Sequence, residues 1–360
     1  MKALVLAGGT GTRLRPFSHT MPKQLIPIAN KPVLAHILAD IRAQGITDVG
    51  IVVGGYGRDI AAKLGDGSAF GLRISYLHQD APRGLAHGLL IAREFLGDAD
   101  FVMYLGDNML PRGIADIVAD FRTGGADAQL AVQPVDDPRA FGMAEVDDRQ
   151  RVTRVVEKPA HPVGNLALIG VYVFSPRIHE AVAAIVPSAR GELEITDAVQ
   201  WLVAAGHDVR ASRYTGYWRD MGTVDDMLEC NRELLRTLTP SMAGKADEAS
   251  ELVGPVEIGA DSRVVNSRIT GPVSIGRGSV IEDSVVGPDT TIGDDCVLSG
   301  AGVSYSIVLD TATISGVEGL HGSVIGRAAQ VVSADGDGDG DGRHHRLMVG
   351  DHASVYLLTT

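Results

Sequence analysis

Cysteine is scarce in this chain of 360 residues: Cys230 and Cys296 are the only two, far apart and without ligand spacing. Their rarity excludes a disulfide framework and suits a reducing compartment. Basic runs are absent and the net charge is −13, which argues against a nucleic-acid groove. No apolar stretch reaches the roughly 20 residues that span a bilayer. The chain opens directly on a strand-like run with no leader pattern. Together these gaps lead us to expect a cytoplasmic protein that engages neither nucleic acid nor membrane. What the chain does hold is apolar residues, at 45%, and 44 glycines. That length and composition suit two domains, or one large domain with an appendage.

The stretch 3–28, ALVLAGGTGTRLRPFSHTMPKQLIPI, organises the rest. Ala3 to Ala7 is an unbroken apolar run, the pattern of a strand covered on both faces. Gly8, Gly9 and Gly11 follow, then Arg13 and, ten residues on, Lys23. Glycines let backbone N–H groups approach an anion, and a cation at each end of the loop complements phosphate. A P-loop is excluded because Thr12-Arg13 stands where Lys and Ser/Thr belong, and a dinucleotide loop because Leu14 replaces its third glycine.

Downstream, strand patterns at 49–53, 72–77, 100–105 and 128–132 alternate with helical spacing at 34–41, 58–64, 84–96 and 114–121. Such alternation predicts an α/β fold with a doubly wound, mostly parallel sheet. Ligands bind such sheets beyond the carboxyl ends of the strands. The glycine loop, Gln79 and Asp107 all follow strand patterns and are expected on one rim. From about Phe141 paired strands appear (141–146 and 152–156), then a strand at 166–174 and helices at 177–185 and 195–205, and an amphipathic helix runs to about Leu238.

Residues 239–250 lack periodicity and read as a linker. Beyond them a 17-residue unit recurs: 256–272, 273–289 and a third copy from 290. Ile258, Ile275 and Ile292 fall in register, as do Val264, Ile281 and Leu298. Apolar residues every six positions with glycine corners predict a hexapeptide β-helix over 251–330. Residues 331–360 read as an acidic glycine-rich connector and a last strand or cap. Its Asp-Gly run at 335–342 resembles the start of a calcium loop, but Arg346 occupies the place of the bidentate Glu, so a plain acidic connector is the better reading. The exposed pair His344-His345 carries no metal assignment.

Leu6-Ala7-Gly8-Gly9-x-Gly11-Thr12-Arg13-Leu14-x-Pro16 with Pro22-Lys23-Gln24-Leu25 resembles the signature of the sugar-1-phosphate nucleotidylyltransferases, specifically their long thymidylyl-transferring form. The likeness covers residues 1–238 strongly and the repeats more loosely. It implies the nucleotide-diphospho-sugar transferase type of sheet followed by a left-handed β-helix, in a homo-oligomer. The implied activity is Mg²⁺-dependent transfer of a thymidylyl group from dTTP to α-D-glucose 1-phosphate, serving deoxysugar biosynthesis. By the same resemblance, Gly8, Gly11 and Thr12 cradle the triphosphate, Arg13 and Lys23 neutralise it, and Gln24 belongs to that motif. Asp107, next to Asn108, and Asp220, next to Trp218, match the two Mg²⁺ ligands. Gln79, with Gly84 downstream, matches the nucleobase segment. Gly142, Glu157, Lys158 and Leu168 match sugar-phosphate contacts.

The chemistry is consistent with this inventory. A sugar phosphate is already an anion, so no side-chain base is needed; the task is to align two repelling anions and neutralise the reacting phosphorus. Singly, Asp107 also fits a helix N-cap and Glu157-Lys158 a solvated pair. The chain departs from the family pattern at Ile169, at Arg219-Asp220-Met221 and at His87, which replaces Gln, putting fine sugar selectivity in question. A UTP-dependent enzyme, a non-catalytic nucleotide-sensing subunit and an added acyl transfer on the β-helix stay open as alternatives. For the last, His321 is the one candidate base.

Overall fold

A computed structural model describes residues 1–9, 11–162, 164–333 and 344–358. The 335–342 run therefore lies outside the described residues. The chain divides into two compact units, one formed by Met1–Thr10 with Val33–Asp220 and the other by Gly11–Pro32 with Met221–Thr360. Among the described residues, no helix is long and apolar enough to cross a membrane.

The first unit is built on a nine-stranded sheet. Its strands are β1 (Lys2–Ala7), β2 (Asp48–Val53), β3 (Arg73–His78), β4 (Phe101–Leu105), β5 (Ala128–Pro134), β6 (Met143–Val146), β7 (Val152–Val156), β8 (Leu166–Phe174) and β9 (Val209–Arg213). The main path runs β9-β5-β8-β4-β1-β2-β3, with the β6–β7 hairpin joined through β8. Ala3, Leu4 and Val5 are fully buried, as the unbroken apolar run of β1 requires. Helices α1 (Val33–Ala43), α2 (Gly57–Leu64), α3 (Leu85–Ile91), α4 (Arg93–Leu96), α5 (Ala115–Gly124), α6 (Ile178–Ala184) and α7 (Ile195–Ala204) complete this unit. Every residue of the α1 apolar stripe, Leu34, Ile37, Leu38 and Ile41, is buried.

Two features differ from the sequence expectation. Strand β8 runs antiparallel to both β4 and β5. Among the described residues, a 3₁₀ turn at Pro138–Ala140 and the β6–β7 hairpin separate β5 from β8, with no α-helical crossover to return the chain to the edge where a parallel strand would start. Strand β9, with only Val209 and Ala211 buried among its apolar positions, carries too weak a pattern to be read, yet it pairs parallel with β5.

The second unit contains the β-helix. Its strands stack in three parallel sheets of seven, seven and five members. The predicted register is observed: Ile258 pairs with Ile275 and Ile275 with Ile292, while Val264 pairs with Ile281 and Ile281 with Leu298. All six side chains are buried. Serines one coil apart close the corners. Ser262 Oγ accepts from Ser279 N at 2.9 Å, and Ser279 Oγ accepts from Cys296 N at 2.9 Å. A second column repeats this from Ser267 to Ser284 to Ala301 N. These hydroxyls satisfy amides that the tight corners take out of the ladders.

The linker expected at 239–250 is part of this stack. Ser241–Met242 pairs with the strand at 256–258 and Lys245–Ala246 with that at 263–265. As the outermost coil it leaves Ser241, Met242 and Lys245 exposed, so the apolar repeat that marks inner coils is missing. At the other end Met348–Val349 and Ser354–Leu357 add the last rungs.

The expected boundary at 238 is also displaced. Helix α8 (Val224–Leu235) and residues 11–32 belong with the β-helix. Asn231 of α8 is fully buried. Its Oδ1 accepts from Ala29 N at 2.9 Å and Thr291 Oγ1 at 3.2 Å, and its Nδ2 donates to Asp289 O at 3.3 Å. Asn30 Nδ2 donates to Ile292 O at 3.0 Å. Side-chain tethers of this kind leave no trace in hydrophobic periodicity.

Candidate active site

Strands β4, β1, β2 and β3 are consecutive and parallel, so their carboxyl ends share one rim of the first unit. Gly8, Gln79 and Asp107 follow β1, β3 and β4 on that rim. The first two meet directly: a Cβ on Gly8 would lie 3.1 Å from Gln79 Oε1. On its other side Gln79 Nε2 is 2.9 Å from His87 Nδ1, on the first turn of α3. Gly84 opens that helix at φ 99°, and a Cβ there would lie 2.3 Å from Leu193 O. Gly84 is thus required by a close backbone approach.

Asp107 is held by its neighbours. Asn108 Nδ2 donates to Asp107 Oδ1 at 2.9 Å, and Trp218 Nε1 donates to Asn108 Oδ1 at 2.7 Å. Asn108 and Trp218, expected among the substrate contacts, are 3% and 4% exposed and spend these polar groups on one another. Room for this arrangement comes from an irregularity in β8 at Gly170, where φ is 77° and a Cβ would lie 2.9 Å from Asn108 Cγ. A bridge between Met109 and Arg219 sets the segments of Asp107 and Asp220 side by side.

Glu157 is clamped by Thr196, whose hydroxyl donates to Oε2 at 3.2 Å, and by Arg190, whose guanidinium donates to Oε1 at 3.2 Å. Lys158 Nζ lies 3.6 Å from the same Oε1. Gly142 closes the group: a Cβ there would come within 3.2 Å of both Glu157 Oε2 and Leu168 Cδ1. Lys158 adopts φ 36° and Met221, beside Asp220, φ 29°. Left-handed backbone at non-glycine residues is costly and clusters at functional sites.

In the second unit, Gly11 is left-handed at φ 66° and caps a 3₁₀ turn over Thr12–Leu14. A Cβ on Gly11 would lie 3.0 Å from Lys23 Cβ, so the loop lies flat on the Lys23 stem. The Arg13 guanidinium covers Gly222, where a Cβ would lie 3.1 Å from it. Gln24 is 2% exposed, with Oε1 making no hydrogen bond to the described protein atoms. His321, the candidate base for acyl transfer, has partners: Ser304 Oγ lies 3.0 Å from its Nδ1, and the Tyr305 and His344 rings pack against it.

Residues 2–237 match the nucleotidyl transferase family. The chain belongs to that family. It is 55% identical to a glucose-1-phosphate thymidylyltransferase of Streptomyces griseus over 98% of both chains. A Streptomyces antibioticus protein of the same name is 51% identical over 99% of each. Among solved structures, a Bacillus anthracis chain described as a glucose-1-phosphate thymidylyltransferase in complex with a sucrose superposes with a TM-score of 0.62 at 33% identity. That match covers 67% of this chain and 97% of the other.

Two residues of this nucleotidyl transferase's candidate site escaped the sequence reading. Arg190 and Thr196 lie in RGELEIT, which reads as the charged entry to a helix. Arg190 also approaches Glu192 and Glu194, at 3.7 and 3.5 Å. An arginine two and four residues ahead of carboxylates, in a stretch leading to a buried helix, was the available signal. Among the described residues no group of three or more His, Cys, Asp or Glu could hold a metal unaided. Two hard carboxylates, Asp107 and Asp220, fit Mg²⁺, which takes one or two protein oxygens and completes its shell with phosphate and water.

Proposed function

We propose that this nucleotidyl transferase moves a thymidylyl group from dTTP to α-D-glucose 1-phosphate, forming dTDP-glucose and pyrophosphate. The observation that carries the reading is the 55% identity to the Streptomyces griseus thymidylyltransferase along nearly the whole of both chains. The presence of Arg13, Lys23, Asp107, Lys158 and Asp220 in family order supports it.

A phosphate oxygen of the sugar phosphate attacks the α-phosphorus of dTTP, the bond from that phosphorus to the bridging oxygen breaks, and pyrophosphate leaves. No proton need move at the nucleophile. Backbone N–H groups at Gly8, Gly11 and Thr12 hold the triphosphate, and Arg13 and Lys23 offset its charge. Lys158 draws in the sugar phosphate, countering the repulsion between two anions that must meet in line. Glu157, fixed by Arg190 and Thr196, accepts from sugar hydroxyls, with Gly142 and Leu168 shaping the floor beneath them. Gln79 reads the pyrimidine edge, and Gln24 offers its buried Oε1 to the nucleotide. Asp107 and Asp220 would hold Mg²⁺, which would supply charge neutralisation at the reacting phosphorus. Asn108 and Trp218 act on Asp107 as positioning residues.

The reaction run backwards tests the assignment. Given dTDP-glucose and labelled pyrophosphate, the enzyme should release labelled dTTP. Formation of labelled UTP from UDP-glucose at a higher kcat/KM would transfer the assignment to a uridylyltransferase.

A further inference from the structure

Gln79 can pair with a pyrimidine in two directions, and only one is correct. Its amide carries an acceptor, Oε1, and a donor, Nε2, and the density of neighbours decides which end faces which way. In this structure Oε1 lies against Gly8, where a Cβ would sit 3.1 Å from it, and Nε2 lies 2.9 Å from His87 Nδ1. In this sense of pairing Gln79 Nε2 donates and His87 accepts at Nδ1, the tautomer with the ring proton on Nε2; the other tautomer would face a reversed amide. His87 therefore takes one of the two Gln79 N–H groups. The remaining edge offers Oε1 as acceptor and the second N–H as donor, in a fixed order. That order complements the N3–H and O4 of thymine or uracil. The reverse order complements N3 and the exocyclic amine of cytosine.

We propose that His87 sets the nucleobase specificity by accepting a hydrogen bond from Gln79 and fixing the direction of its amide. His87 is a positioning residue; it acts through Gln79, and the inference rests on the reading of Gln79 as the base-contacting residue. The sequence makes the position notable, since His stands where the family pattern has Gln. A second amide there could face Gln79 with either end, whereas an imidazole that accepts at Nδ1 enforces one.

Substitutions that offer a single hydrogen-bonding sense separate this from a packing effect. Glu at position 87 can only accept, and Lys can only donate. The readout is the ratio of kcat/KM for dTTP to that for dCTP within each variant, because the two nucleotides carry the same charge and any change in triphosphate attraction cancels. His87→Glu should keep the parent ratio within about threefold, while His87→Lys should lower it by at least about tenfold, since the site then leaves polar groups of the correct base unmatched. The loss should appear in KM for dTTP, with kcat at saturation retained. A ratio unchanged in His87→Lys, or lowered equally in His87→Glu, overturns the proposal. Should His87→Lys fail to fold, His87→Leu, which offers no partner, must lower the ratio in its place. Gln79→Ala, measured alongside, distinguishes the two levels. If it leaves the ratio intact, the reading of Gln79 itself falls. If it collapses the ratio while the donor-only and partnerless variants at 87 do not, the role of His87 alone falls.

Discussion

Replacing Asn231 with Leu should unsettle a segment far away in sequence, residues 11–32. The side chain is fully buried and serves three groups: Ala29 N–H, the Thr291 hydroxyl and the Asp289 carbonyl. Leu fills a similar volume, so the loss is of hydrogen bonds and not of packing. The hydroxyl can rotate toward another acceptor, but the amide and carbonyl cannot. Two stranded backbone groups at about 1–3 kcal/mol each put the cost at about 2–6 kcal/mol. Ala29 and Asn30 already hold left-handed backbone, at φ 48° and 59°, and rely on such contacts to stay there. With a urea slope of about 1–3 kcal/mol per M, the midpoint should fall by on the order of 1 M. Because Lys23 and Arg13 lie in the tethered segment, KM for dTTP should rise as well. A midpoint within about 0.2 M of the parent at unchanged slope would refute the reasoning.

Four further outcomes follow from the site. Asp107→Asn and Asp220→Asn should each nearly abolish turnover at saturating Mg²⁺; activity within about tenfold of the parent, a barrier change of only about 1.4 kcal/mol, would remove the assigned carboxylate from the metal site. Trp218→Phe strands the buried Asn108 Oδ1 and loosens the amide that donates to Asp107, so kcat should drop by about tenfold or more, as small misplacements in such sites do; an unchanged kcat would break the chain from Trp218 to Asp107. CTP should be a very poor substrate, and Gln79→Glu should raise KM for dTTP, so a variant using dTTP as well as the parent would free Gln79 of its role. A chain ending at Leu238 loses the Thr291 and Asp289 partners of Asn231 and the Ile292 partner of Asn30 and should bind dTTP poorly, and tight binding by a soluble, folded truncation would show that residues 11–32 need no support from the coils.

The parts of the fold that repeat were the legible ones. Unbroken apolar runs mark β1, β2 and β4, 3.6-residue spacing marks α1, and the 17-residue recurrence places Ile258, Ile275 and Ile292 in pairing register. Features resting on a single contact were not legible. The first coil at 241–246 is exposed and so lost its apolar signature. The grouping of residues 11–32 with α8 depends on Asn30 and Asn231, whose type says nothing of their partners. In the candidate site, residues in ordered motifs, such as Gly8, Asp107 and Glu157, can be named as candidates from the chain. Arg190 and Thr196 join Glu157 only through tertiary folding, and the inward turn of Asn108 and Trp218 follows from the Gly170 irregularity in β8, where a glycine in a strand had no visible purpose.

Pyrophosphate release across a grid of nucleoside triphosphates and sugar 1-phosphates tests the central claim most directly. The account predicts the highest kcat/KM for dTTP with glucose 1-phosphate, dependence on Mg²⁺, UTP as the nearest alternative and CTP far behind. No release with any pair, or a purine nucleotide or CTP used best, would contradict it.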